Sequence, residues 1–207
     1  MQAQIKKKDT YKMGIDTLFN LRRQLMQTLV SFKEDLCRED FNAIPFINAD
    51  GYHSKTIAYS IWHIFRIEDI VAHTVITEDE QVFFTGNYQV RINSPIITTG
   101  NELVKQQIAD FSKQLNLEEL YSYIFEVRES TEKILERFSY DELKWKIPDE
   151  RKGYLKSLNV VNCDEKAIWL IDYWCSKDIR GLIQMPFSRH WIMHTEACLR
   201  IKNKMHS

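Results

Sequence analysis

The sequence predicts an all-α protein, a bundle of four long helices with long connections and one or two extra short helices. Prolines and glycines, which interrupt helices, number only four and six in 207 residues. Apolar residues recur at the three-to-four-residue spacing of a helix along nearly the whole chain. Neither an internal repeat nor an interdomain linker is visible. We therefore expect residues 1–207 to form one domain.

The first two long helices are predicted from apolar periodicity. The first spans residues 11–36, where only Arg22 interrupts the apolar stripe. Residues 40–53 contain Pro45 and Gly51 and are predicted to form a loop. The second helix is expected over residues 54–76, with Ser54 as its N-cap.

The middle of the chain alternates irregular and helical segments. Residues 77–100 have little helical period and are predicted to form a long loop, in which two short strands could pair. Loops of this length in compact domains tend to be functional or mobile. A short amphipathic helix is expected over residues 102–114. Asn116, with Glu119 three residues later, resembles a capping box and predicts the start of a third long helix to about Phe138.

The last third contains one more irregular stretch and two predicted helices. Residues 140–163 include Pro148 and Gly153 and lack helical periodicity. Asp164 is a suitable N-cap for a helix through Gln184. Pro186 suits the first position of a helix and predicts the start of the last one.

Charge and composition exclude several classes of partner. The net charge is −1, and residues of both charges are mixed along the chain, which argues against nucleic-acid binding. We interpret the short run of lysines at residues 6–8 as a solvated tail. No apolar run approaches the ~18 residues of a membrane span. The N-terminus lacks signal-peptide order, and the four cysteines show no paired spacing. We expect free thiols and a cytoplasmic location.

His190 and His194 are the main candidates for a functional site. On a helix they lie one turn apart, about 40° around the axis, near the middle of the apolar stripe. A buried imidazole without partners costs a few kcal/mol. A shared metal ion would satisfy both rings, and histidine suits zinc, nickel, copper or iron. Two structural histidines with protein partners are the alternative.

A third ligand must come from another helix, and His63 in the second predicted helix is the best candidate. If the three histidines share a site, their nitrogens should lie within about 5 Å of one another when no ion is present. Three histidines without a fourth protein ligand leave open coordination positions, which is typical of catalytic sites. Glu68 falls on the apolar face, so it either pairs with an interior Arg, Tyr or Trp, or serves the site as an orienting residue or proton acceptor.

Two segments carry a family resemblance. Ser60-Ile61-Trp62-His63-Ile64-Phe65-Arg66-Ile67-Glu68-Asp69, followed far downstream by His190-x-x-x-His194, resembles the DinB-like (YfiT-like) superfamily. The resemblance implies a four-helix bundle with a long connection between its second and third helices. It also implies a metal ion, often nickel or zinc, held by His63, His190 and His194. Characterised relatives include thiol-dependent S-transferases and a maleylpyruvate isomerase.

These observations lead to two hypotheses about function. The first is a metal-dependent enzyme whose three histidines hold a divalent ion, Ni or Zn, that activates water or a thiol, with Glu68 as a candidate catalytic residue. Its chemistry would be of the thiol S-transferase or hydrolase kind. The second is a non-catalytic, stress-associated or ligand-binding bundle whose metal site is vestigial or absent. The expected partners are a small-molecule substrate and a low-molecular-weight thiol, and we expect no binding to nucleic acid or membranes. A homodimer is a further possibility.

Overall fold

The structure, a computed structural model, describes residues 1–206 and is helical throughout. Within those residues it contains no β-strand, only an isolated bridge between Lys146 and Asp178. The all-α prediction is therefore confirmed. In the same range no helix combines the length and the apolar character that crossing a bilayer requires.

Five longer helices organise the fold. They are α1 (Tyr11–Asp35), α2 (Ile57–Asp69), α3 (Leu117–Arg137), α4 (Glu165–Cys175) and α5 (Arg189–Met205). A π-helical segment, Ile70–Thr77, continues α2. The remaining short segments are Gln2–Ile5, Arg38–Asn42, Val82–Thr85, Tyr88–Arg91, Gln106–Gln114, the 3₁₀ turn Glu142–Lys144, Glu150–Ser157 and Ile179–Gln184.

Helix α2 is the central helix. It packs between α3 and α5, and α1 in turn contacts both α3 and α5. All thirteen residues of α2 are buried, including one histidine, one arginine and two carboxylates. A helix with no solvent-facing side must satisfy each polar side chain from neighbouring elements. His63, Arg66, Glu68 and Asp69 are therefore the points at which loops and other helices attach to α2.

The predicted caps are correct for α3 and wrong for α2. The Asn116 side chain accepts hydrogen bonds from the backbone N–H groups of Glu118 and Glu119, as an N-cap should. The second half of the predicted capping box is absent, because the Asn116 N–H donates to the Ile92 carbonyl and the Glu119 carboxylate pairs with Arg91. At α2 the cap is Thr56, whose hydroxyl accepts the Tyr59 N–H at 3.0 Å. The hydroxyl of Ser54 instead donates to the Gly51 carbonyl in the preceding turn.

The π-helical segment places His73 inside the protein. A regular α-helix through residue 76 would place this side chain near the polar side, whereas it is buried with 5% exposure. A π turn contains one more residue than an α turn, so the faces of the helix rotate relative to those of a regular α-helix. His73 is thereby brought between Asp79 and Ser130, at 2.7 and 3.0 Å.

The irregular stretches contain more helix than predicted, and the helix predicted from Asp164 through Gln184 is divided into two. Residues 77–100 form two helical turns rather than paired strands, and residues 140–163 include Glu150–Ser157. The helix predicted through Gln184 stops at Cys175, because Asp178 caps a new helix by accepting the Gly181 N–H at 2.8 Å. Pro186 lies in the turn before α5 and not in its first position.

The buried apolar side chains form two clusters, not the single core expected of a bundle. One surrounds the first part of α2 and includes Trp62 and Trp191. The other surrounds Ile67 and the π-helical segment and recruits the chain from about residue 134 to residue 187. Arg151 anchors that region through the Thr74 carbonyl at 3.0 Å.

Candidate metal centre

His190 and His194 lie in the first turns of α5 and point into the protein. Their exposed fractions are 4% and 3%, which confirms the predicted placement on the buried face. The ring centroids are 4.5 Å apart and the rings are nearly perpendicular, at 71°. An i, i+4 pair on one helix face therefore directs two imidazoles into the same space.

The third imidazole comes from α2. His63 is buried, and its ring centroid lies 5.1 Å from that of His190 and 4.9 Å from that of His194. One nitrogen from each of the three side chains falls within 4.8 Å of the others. The convergence predicted from the sequence is confirmed, and the cluster could hold a metal ion.

A backbone carbonyl fixes the orientation of His63. The Nδ1–H group of His63 donates to the carbonyl oxygen of Thr99 at 2.6 Å. Since a carbonyl can only accept, Nδ1 carries the proton and the lone pair of the neutral ring lies on Nε2. A histidine that ligates a metal is commonly held in this way by a hydrogen bond to its other nitrogen.

This bond belongs to a ladder between α2 and the segment of residues 97–100, which we call the carbonyl segment. The Tyr59 hydroxyl donates to the Gly100 carbonyl at 2.9 Å, and the Arg66 guanidinium donates to the Ile97 carbonyl at 2.7 and 3.0 Å. Tyr59, His63 and Arg66 stand at i, i+4 and i+7, so they share one stripe of the helix. The carbonyl segment runs along this stripe in the opposite direction.

The electrostatic environment keeps the three imidazoles neutral. Burial lowers the pKa of His63 to about 4. Burial also lowers the pKa of His190 and of His194 well below the usual value, and the neighbouring imidazoles lower both further. A neutral imidazole is the form that binds a metal ion. The Nδ1 atoms of His190 and His194 are buried without a hydrogen-bond partner among the described residues.

Two tyrosines pack against the cluster. The ring of Tyr59 stacks on His63 at 5.3 Å and 12°. The ring of Tyr52, from the loop before α2, meets His194 edge-on at 4.7 Å. These rings restrict the access of water to the imidazoles.

Glu68 forms an ion pair away from the three imidazoles. Its carboxylate accepts two hydrogen bonds from Arg22, at 2.7 and 2.9 Å, and one from the indole N–H of Trp191 at 2.7 Å. Arg22 and Glu68 are both fully buried. The guanidinium also lies 4.4 Å from the centroid of the Trp191 ring. Of the two alternatives for Glu68, the structure contains the structural one, in which the carboxylate pairs with an interior Arg and Trp. The role of Glu68 as a proton acceptor stays a prediction.

Two cavities meet at the histidine cluster. One, of about 410 Å³, is lined by the loop of residues 49–55 together with Tyr59, Asn101, His63 and His194. The other, of about 200 Å³, lies between α4 and the chain around Pro186 and reaches all three histidines. The two irregular stretches of the sequence differ in their relation to the site. Thr99 and Asn101, at the end of the first stretch, lie at the site, whereas residues 140–163 contribute no residue to either cavity.

Sequence reasoning missed several residues at the site. The Thr99 carbonyl is a backbone group and leaves no signal in the sequence. Tyr52 lies at the end of the predicted loop and Lys55 just inside the predicted second helix, and aromatic and basic residues are common at such positions for many reasons. Of the buried aromatic residues near the site, Trp62 and Trp191 are core residues, whereas Tyr59 and Trp174 line the cavities.

The chain matches no family model and no curated protein sequence.

Proposed function

We propose that the protein is a metal-dependent enzyme of the DinB-like superfamily, with a nickel or zinc ion bound by His63, His190 and His194. Three protein ligands leave coordination positions for a substrate, as in catalytic zinc sites. A bound ion would supply Lewis-acid chemistry, lowering the pKa of water or of a thiol. The proposed reaction is S-transfer from a low-molecular-weight thiol, or hydrolysis, on a small molecule.

One observation carries the proposal: three neutral, buried imidazoles converge while two of them lack protein partners. An unpartnered buried nitrogen costs about 1–3 kcal/mol, and His190 and His194 each contain one. A shared ion would offset that cost, and no proton would have to leave at neutral pH because burial already holds the pKa of all three rings low.

The residues around the cluster have distinct roles in this proposal. His63 presents Nε2 because Thr99 holds the proton on Nδ1. Tyr52 and Tyr59 shield the imidazoles from bulk water. Asn101 lines both cavities, and its side-chain oxygen is buried without a protein partner, so it can accept a hydrogen bond from a substrate.

The contacts between helices support the four-helix bundle that the proposal assumes. Helices α1, α3, α2 and α5 contact one another in a closed cycle, each touching two others of the set. The three histidines come from α2 and α5, which are neighbours in that cycle. Bundle proteins commonly build metal sites from side chains on facing helices.

His194→Gln tests the metal site. Glutamine keeps most of the side-chain volume and one polar group, so loss of packing is small, while metal binding is greatly weakened. We expect wild-type protein to contain about one equivalent of nickel or zinc after gentle purification and to melt at a higher temperature when metal is added. His194→Gln should show neither property.

His53→Gln is the matched control. The His53 ring packs on Phe46 at 5.2 Å and lies outside the cluster, so this variant should retain metal and the metal-dependent rise in melting temperature. Wild-type protein that binds no nickel or zinc at any pH would overturn the proposal in favour of a non-catalytic bundle. A screen with low-molecular-weight thiols on the metal-loaded protein then tests the reaction class.

A further inference from the structure

The two cavities at the histidine cluster differ in chemistry. Both reach His63 and His194, and both are lined by Tyr52 and Asn101. One is bordered by a lysine and a polar loop, and the other by aromatic and aliphatic side chains. A molecule that reaches the histidines can therefore place one part in each cavity.

The apolar cavity has the size of one ring. Its volume is about 200 Å³. An apolar protein cavity of about 150 Å³ is large enough to bind benzene. Beyond the residues shared with the polar cavity, its walls include Ile67, Trp169, Leu170, Tyr173, Trp174 and Pro186. No carboxylate and no lysine or arginine lines this cavity, so we expect it to take an uncharged, ring-sized group.

The polar cavity contains a cation without a carboxylate partner. Lys55 lines it, and its side chain is half-buried. Within residues 1–206 no carboxylate lies at ion-pair distance from its ammonium, which faces the Tyr59 ring at 5.7 Å. Asp50, the one carboxylate lining this cavity, is exposed. Burial and the charge of Lys166 both lower the pKa of Lys55, so an anion near this ammonium would relieve an unfavourable environment.

A cleft beside the apolar cavity is basic as well. This cleft, of about 290 Å³, adjoins the apolar cavity at Tyr52, Tyr173 and Met185, and Lys177 and Arg189 line it. No acidic residue lines that cleft. Cationic groups thus lie in the polar cavity and in the cleft beside the apolar one, which favours the approach of an anion.

We propose that the ligand of this site is a small organic anion carrying one ring-sized apolar group. The ring occupies the cavity walled by Trp169, Tyr173 and Trp174, the anionic group pairs with Lys55, and the connecting atoms pass the histidines. The inference deepens the proposed function, since the passing atoms would be those presented to the metal. Binding of the ring and the anion does not itself need a metal.

The test uses ω-phenyl carboxylates from 3-phenylpropionate to 6-phenylhexanoate, each paired with the alcohol of the same length. Affinities are measured by calorimetry on wild-type protein, both metal-loaded and treated with EDTA. In the EDTA-treated protein we expect one chain length to bind best, with the carboxylate at least about tenfold tighter than its alcohol. The tenfold preference must appear without metal, because a carboxylate can also ligate a metal ion.

Variants assign each half of the ligand to its cavity. Lys55→Gln should abolish the preference for the carboxylate and leave the alcohol affinity unchanged, whereas Lys55→Arg should keep the preference. Lys12→Gln, an exposed lysine that lines neither cavity, is the matched control and should behave as wild type. Trp169→Ala, at a half-exposed side chain, should weaken both members of a pair by the same factor.

The outcomes separate this inference from the proposed function. Equal affinity for carboxylate and alcohol, no binding of either, or an unchanged preference in Lys55→Gln overturns the inference, even if the protein binds metal. Selective binding of the anion by a protein that takes up no nickel or zinc supports the inference and refutes the metal-dependent enzyme.

Discussion

Replacing Gly100 by alanine should disturb the histidine cluster without changing a histidine. Gly100 follows Thr99, whose carbonyl holds the Nδ1–H of His63. Its φ is +76°, and a Cβ at this position would lie 2.7 Å from the ring of Trp62 and 3.1 Å from that of Tyr59. Both rings are buried in the core, so the backbone of the carbonyl segment must move.

Two costs follow from this geometry. A left-handed backbone costs a non-glycine residue about 1–2 kcal/mol. Overpacking against the two rings costs about 1–3 kcal/mol. We expect the free energy of unfolding to fall by about 2–5 kcal/mol in Gly100→Ala. Displacing the Thr99 carbonyl should also weaken metal affinity by about 10–100-fold, the usual effect of losing the partner of a ligating histidine.

Urea unfolding in the presence of EDTA measures the first quantity, and competition with a chromogenic zinc chelator measures the second. Gly51→Ala is the matched control for backbone strain, because Gly51 has a φ of +101° but a Cβ there would meet no atom within 4 Å. It should lose some stability and keep its metal affinity. Gly100→Ala with the metal affinity of Gly51→Ala would refute the idea that the Thr99 carbonyl supports the site.

Two further predictions concern buried charge. Glu68→Gln should lower the free energy of unfolding by about 3–5 kcal/mol in a urea titration, because it leaves the buried Arg22 guanidinium without its main counter-ion. Glu129→Gln, at an exposed ion pair, is the control and should change the free energy of unfolding by less than about 1 kcal/mol. Equal effects of the two substitutions would contradict the reasoning. Acid should destabilise the EDTA-treated protein. The pKa of His63 is about 4 in the folded protein and about 6.5 in the unfolded chain. Lowering the pH from 7 to 5 therefore protonates mainly the unfolded chain and lowers the free energy of unfolding by about 2 kcal/mol. His63→Gln should reduce this pH dependence.

The sequence predicted best the helices that have one buried side and one exposed side. Helix α1 begins at the predicted residue, Tyr11, and ends at Asp35, one residue early, because its apolar stripe contrasts with a polar face. Arg22, the one interruption of that stripe, lies at the ion pair with Glu68. An anomaly in the pattern thus marked a real buried charge.

Helix α2 shows where this reasoning fails. Since every residue of α2 is buried, the contrast between faces no longer reports which way a side chain points. The π-helical turns after Asp69 depend on tertiary contacts that no local pattern encodes, so extrapolating a regular α-helix would place His73 near the polar side. The convergence of His63 with His190 and His194 was nonetheless predictable, because a shared site is one of few ways to satisfy three interior imidazoles.

The ladder between α2 and the carbonyl segment constrains how this protein can vary over evolution. Its acceptors are main-chain oxygens, so exchanging the side chains of Ile97 or Thr99 for others of similar volume leaves the donors of α2 satisfied. An insertion or deletion within residues 97–100 would instead put the carbonyls out of register with Tyr59, His63 and Arg66. Homologues that keep the histidine cluster should therefore preserve the length of this segment more strictly than its residues, with the glycine at position 100 as the exception.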